Sequence, residues 1–155
     1  MKTIILAVNC YMLIALACFA QLSVETVGAV RLNGINKGEQ YGAGAVLSYD
    51  FNKHVAGFGR VLAYEDNNWG DSTIDEASAG VEARLLKSAN GKLSLSAIGA
   101  VHRSFGQSED WGLGLGGKAK AVVFKSLYSF GQAEYRVWEK QDKDILLTFG
   151  IGYSF

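Results

Sequence analysis

His102 and Ser104 stand two residues apart, with Glu109 a short way beyond them. In a strand that spacing puts His102 and Ser104 on one face. An imidazole beside a hydroxyl, with a carboxylate to orient the ring, is the raw material of a serine hydrolase. The histidine takes the hydroxyl proton and the acid holds the histidine. His102, Ser104 and Glu109 are therefore the catalytic candidates. The plainer reading makes His102 a hydrogen-bonding residue of a polar interior. A second cluster of oxygen donors occupies 66–75, where Asp66, Asn67, Asn68, Asp71 and Asp75 surround Trp69. It has the oxygens for a weak Ca²⁺ but not the ligand spacing of an EF-hand loop. A solvated hairpin tip fits it better, with Trp69 available as a contact residue. Nothing cradles phosphate or ligates a transition metal at usable spacing, so neither cofactor nor metal is expected. Fifteen Lys and Arg balance fifteen Asp and Glu, which gives no basic footprint for nucleic acid.

The elements that must position these residues are strands. Apolar and polar residues alternate in pieces at 22–32, 41–51, 55–65, 76–87, 92–105, 111–124, 127–138 and 145–155, with no sustained helical period. The fourth is the clearest: Ala77, Ala79, Val81, Ala83 and Leu85 alternate with Glu76, Ser78, Gly80, Glu82 and Arg84. The third is the least regular, because Phe58 and Leu62 share the side of Arg60. From the second piece onward the apolar face falls on odd numbers, as a coherent hairpin array requires. Short breaks (52–54, 88–91, 125–126) alternate with longer ones (33–40, 66–75, 106–110, 139–144). Nineteen glycines and no proline suit uninterrupted strands.

The first twenty residues differ from the rest. Lys2 precedes an apolar run, and Ala17-Cys18-Phe19-Ala20 has small residues at both cleavage-pocket positions. This reads as a secretory signal peptide, 1–20, cut after Ala20. A single membrane anchor and a lipidated Cys18 are the alternatives. Cys10 and Cys18 both lie in this segment, so residues 21–155, one exported domain, have neither disulfide nor thiolate metal site.

The last piece is Ile145 to Phe155, I-L-L-T-F-G-I-G-Y-S-F. Alternate residues Leu147, Phe149, Ile151, Tyr153 and Phe155 form one apolar face ending on an aromatic. This resembles the terminal strand of bacterial outer-membrane β-barrels. The whole chain resembles the small eight-stranded members: the membrane domain of outer-membrane protein A, and the OmpX-like and opacity-type surface proteins. The resemblance implies an all-β, eight-stranded antiparallel up-and-down transmembrane barrel in the outer membrane of a Gram-negative bacterium. It implies a final strand read by the barrel-insertion machinery, the lipid bilayer as surroundings, and a structural or adhesive role for loops 33–40 and 66–75 toward an extracellular ligand. Outward aromatics near strand ends fit such a barrel's girdles: Tyr41, Phe105, Trp111 and Tyr135 at one rim, and Tyr49, Phe51, Tyr153 and Phe155 at the other. A soluble lipocalin-type barrel, apolar inside and polar outside, is the architectural alternative.

A barrel of this size leaves an interior that side chains fill. Glu25, Arg31, Arg60, Glu82, Arg84, Lys118, Lys120, Glu134 and Arg136 would face it. They would form either a plug of ion pairs or a narrow pore biased to anions by the excess of basic residues. The expected cross-strand pairs are Lys118–Glu134 and Arg60–Glu82, in a network with Arg84, Lys120 and Arg136. Separately, Ala100 to Ser104 is similar to the His-x-Ser strand of outer-membrane lipid A deacylases. That likeness implies an esterase acting through His102 and Ser104, although a hairpin separates this strand from the last one and the acid spacing differs.

Overall fold

The computed structural model describes residues 22–33, 39–65, 75–105 and 109–155. The expected signal peptide and the loop segments 34–38, 66–74 and 106–108, Trp69 and its neighbouring oxygen donors included, lie outside the described residues.

Eight strands follow one another: β1 Leu22–Asn33, β2 Glu39–Asp50, β3 Val55–Tyr64, β4 Glu76–Lys87, β5 Leu93–Ser104, β6 Asp110–Phe124, β7 Leu127–Trp138 and β8 Asp144–Ser154. Each pairs antiparallel with its sequence neighbours, and β1 pairs with β8 to close the barrel. Closure runs from Ser23 opposite Ser154 to Asn33 opposite Asp144. Some strands begin earlier than their apolar pattern. Glu39 and Gln40 continue the ladder opposite Leu32 and Arg31, and Asp110 pairs with Ser104. Hydropathy marks the apolar band, whereas backbone pairing runs beyond it toward the loop end.

Local chemistry makes the short turns. Asn52 Oδ1 accepts from the backbone N–H groups of His54 and Val55 at 2.8 and 2.9 Å, an Asx-type turn. Asn90 Oδ1 accepts from the Lys92 N–H at 3.0 Å, and Gly91 supplies the positive φ of 69°. The two-residue turn at Lys125-Ser126 puts Lys125 at φ 47°.

The outer wall is apolar. Leu115 is 73% exposed and Phe149 58%, whereas inward Arg136, His102 and Glu134 are at most 1% exposed. This polarity inverts that of a lipocalin and overturns the soluble alternative, because water would meet a continuous hydrocarbon surface. The two expected aromatic rims are at the strand ends; Tyr41, Phe105, Trp111, Tyr135, Phe51, Tyr153 and Phe155 are exposed. Odd residues face out from β2 onward, except at two bulges near the turn end. One lies between Arg84 and Leu86, the other between Val122 and Phe124. An extra residue there moves the following side chains to the opposite face. Leu85 and Leu86 are consequently both exposed.

Inside, charge is not continuous. Val27, Val46, Tyr128 and Phe130 form an apolar cluster with Phe58 against it, and Ala29, Leu62 and Leu146 form a second beside Tyr64. The irregular pattern of β3 is thereby explained: Phe58 and Leu62 share the inward face with Arg60 because parts of the lumen are filled by hydrocarbon.

Candidate functional site

Polar side chains from all eight strands converge in the lumen. Near the loop end, Arg136 Nη1 donates to both oxygens of Glu76 at 2.6 and 2.7 Å. Its Nε and Nη2 donate to Asp144 at 2.6 and 3.0 Å. Asp144 also accepts from Arg31 Nε at 2.6 Å and Trp138 Nε1 at 3.0 Å. The Trp138 ring faces both guanidinium groups, 5.2 Å from Arg31 and 5.0 Å from Arg136. These are charge-assisted contacts in a space that excludes most solvent, where neither sign is stable alone.

His102 lies next to this cluster. Its Nδ1 is 2.9 Å from Glu76 and its Nε2 is 2.5 Å from Glu134. A carboxylate thus faces each ring nitrogen, and both contacts are satisfied when both nitrogens donate. Glu134 also accepts from Arg60 Nη2 and Gln132 Nε2, each at 3.0 Å, while Arg60 Nε donates to Ser78 at 3.1 Å. Gly114 makes room for this junction. A Cβ there would overlap Glu134 Oε1 and stand 2.6 Å from His102 Nε2.

Toward the turn end, Lys118 Nζ is 2.6 Å from Glu25 and 3.6 Å from Glu82. Tyr128 donates to Glu25 at 2.9 Å and Ser96 to Glu82 at 2.7 Å. Arg84 pairs with Asp50 at 2.5 Å and approaches Glu82 at 3.9 Å. Lys120 lies 4.0 Å above the Tyr128 ring.

The expected charges therefore do gather in the lumen, but with different partners. Lys118–Glu134 and Arg60–Glu82 are not the pairs that form. The register puts Gln132 opposite Lys118 and Ser78 opposite Arg60. Lys118 instead reaches Glu25 on β1 and Arg60 reaches Glu134 on β7. In so narrow a barrel the shear brings non-adjacent strands level, and a long side chain crosses the lumen more readily than it bends to its neighbour. The expected excess of basic residues also disappears. Asp50, Glu76, Asp110 and Asp144 belong to the interior as well. Parity gives a signal for Glu76 and Asp50, since both lie on the polar faces of their strands. Asp110 and Asp144 fall at loop ends, where hydropathy gives no face.

The hydrolase candidates are not brought together. Both ring nitrogens of His102 face carboxylates, which leaves none for Ser104. Ser104 Oγ accepts instead from the Asp110 N–H at 3.1 Å. Glu109 is exposed and receives Arg103 at 3.2 Å. Among the described residues, no group of His, Cys, Asp and Glu has the geometry of a metal site.

No protein-family model and no curated protein sequence matches the chain. Solved structures do. Neisserial surface protein A, NspA, superposes with a TM-score of 0.58 at 14% identity, over 88% of this chain and 97% of that one. Ail, the attachment invasion locus protein of Yersinia pestis, gives 0.51 at 18% identity, over 88% and 97%. A major outer membrane protein of Thermus thermophilus gives 0.53 at 14% identity, over 88% and 99%. The fold is that of the small eight-stranded outer-membrane barrels. At such low identity the likeness is one of architecture, and the lumen residues stand on their own geometry.

Proposed function

We propose that this protein is a non-conducting outer-membrane barrel that displays its longer loops, 33–40 and 66–75, for contact with an extracellular partner. The observation that carries this reading is the inverted polarity: an apolar outer wall with exposed aromatics at both rims, around a lumen crossed by ion pairs. Such a wall is stable only in lipid. Residues 1–20 act as the signal peptide, cleaved after Ala20, and the short turns face the periplasm. Leu147, Phe149, Ile151, Tyr153 and Phe155 present the outward apolar face that the insertion machinery reads. Arg60, Glu82, Arg84, Lys118, Lys120, Glu134 and Arg136 serve as an internal plug.

Ail has been solved in complex with the heparin analogue sucrose octasulfate. The loops here favour a different chemistry. Glu39, Asp66, Asp71, Asp75, Glu109, Glu139 and Asp142 outnumber Lys37, Lys140 and Lys143. An acidic loop end repels sulfate and suits a cationic or neutral partner. The test has two parts. The protein should remain in the outer-membrane fraction and migrate differently on gels before and after boiling. An epitope placed in 66–75 should be reached by antibody on intact cells. A soluble protein, an epitope reached only after lysis, or a steady conductance in planar bilayers would each defeat part of the proposal.

A further inference from the structure

The two ends of the lumen differ in charge. From the loop end down as far as Lys118, Arg31, Arg60, Arg136, His102 and Lys118 itself all have carboxylate partners. The turn end opens into a cavity of about 600 Å³ bordered by Lys53, Arg84, Lys87, Lys120 and Lys125. One carboxylate borders it, Asp50, and Arg84 already holds that group. Lys120 rests on the Tyr128 ring and forms no salt bridge among the described residues; Glu82 and Glu25, the carboxylates that act on it from deeper in the lumen, already meet Lys118. Lys87 reaches this cavity because of the β4 bulge. Its odd number would turn it to the outer wall, but the register shift sets it opposite Ser94, which also borders the cavity. The bulge thus adds a cation to a mouth that already had an excess.

We propose that this turn-end mouth binds a phosphate group. Several ammonium donors around a wet concavity match an anion with several acceptor oxygens, and the cavity has room for one or two phosphates. Lys120 is the deepest donor, held in place by the Tyr128 ring; Lys53, Lys87 and Lys125 close over the anion from the three turns. The phosphate belongs either to an anionic phospholipid headgroup of the leaflet at this end or to a soluble phosphate ester.

The test uses the folded full barrel in zwitterionic detergent, titrated with pyrophosphate at constant ionic strength and followed by amide NMR. Saturable shifts are expected at Ser94, Lys120 and Ser126. Lys120→Gln should weaken the apparent affinity about tenfold, Lys125→Gln less, and Lys140→Gln at the opposite end not at all. A second arm places the protein in phosphatidylcholine nanodiscs with or without phosphatidylglycerol. Shifts of the same amides only when phosphatidylglycerol is present identify the headgroup as the source; shifts with pyrophosphate but not with phosphatidylglycerol identify a soluble phosphate as the ligand. Gel mobility before and after boiling reports the folding of each variant separately. No saturable shift in either arm, or equal affinity for wild type and both turn-end variants, would overturn the proposal.

Discussion

Arg136 and Glu76 lie on β7 and β4, strands that share no ladder, yet Nη1 of the arginine is within 2.7 Å of both carboxylate oxygens. The pair ties opposite walls of the barrel directly. With Asp144 on the other edge of the guanidinium, the arginine is enclosed by charges that cannot reach bulk water.

Replacing Arg136 with leucine should therefore destabilise the barrel by ~3–5 kcal/mol, because Glu76 and Asp144 stay buried with less cationic support. Urea unfolding in lipid vesicles measures this. Adding Glu76→Gln should recover part of the loss. A single-variant loss under ~1 kcal/mol would contradict the described network.

Lys118 should couple energetically to Glu25 and not to Glu134. A double-mutant cycle on Lys118→Met and Glu25→Gln should give an interaction of ~1–3 kcal/mol, and the cycle with Glu134→Gln one near zero. The reverse ranking would restore the neighbouring-strand pairing that register argues against.

Two glycines separate packing from propensity. Gly114→Ala should cost ~1–3 kcal/mol, since the new methyl would occupy the space of Glu134 Oε1 and His102 Nε2. Gly131 has nothing within 4 Å of a built Cβ. Gly131→Ala should be neutral or stabilising by ~0.5–1 kcal/mol. Equal effects at the two sites in the same unfolding assay would be inconsistent with a filled lumen.

Deleting Phe155 should lower the outer-membrane level of the protein far more than deleting one residue from loop 66–75. Phe155 is 71% exposed, and its ring meets Tyr153 edge-on at 5.1 Å. Loss of this rim removes the end of the outward apolar face. Quantitative blotting of membrane fractions decides the matter, and equal levels would count against a recognition role.

The strands are legible in the sequence because a barrel wall has two solvents. Lipid on one side and a polar lumen on the other impose a period of two, and Ala77 to Leu85 display it without exception. The inward location of Arg60, Lys118, Glu134 and Arg136 follows from the same parity. Their partners are not legible. Pairing across the lumen depends on shear, which sequence alternation does not encode, so parity matches Lys118 to β7 when its carboxylate stands on β1. The bulges at Leu85 and Val123 are also hidden, because two adjacent apolar residues near a turn look the same whether or not the ladder slips. His102 and Ser104 show the opposite error. Their spacing suggests chemistry, whereas the decisive groups, Glu76 and Glu134, lie on other strands.

Closure of β1 on β8 has a kinetic consequence. Each hairpin joins residues close in sequence, but the seam joins Asn33 to Asp144 and Ser23 to Ser154. No local turn lowers the entropy of bringing those ends together. Until the seam zips, the chain carries two unpaired edges and a hydrocarbon outer face, the combination most prone to join strands from another molecule. The last step of folding is thus the one that most needs an escort, and the rate at which the seam forms should set how much of the protein survives its passage to the membrane.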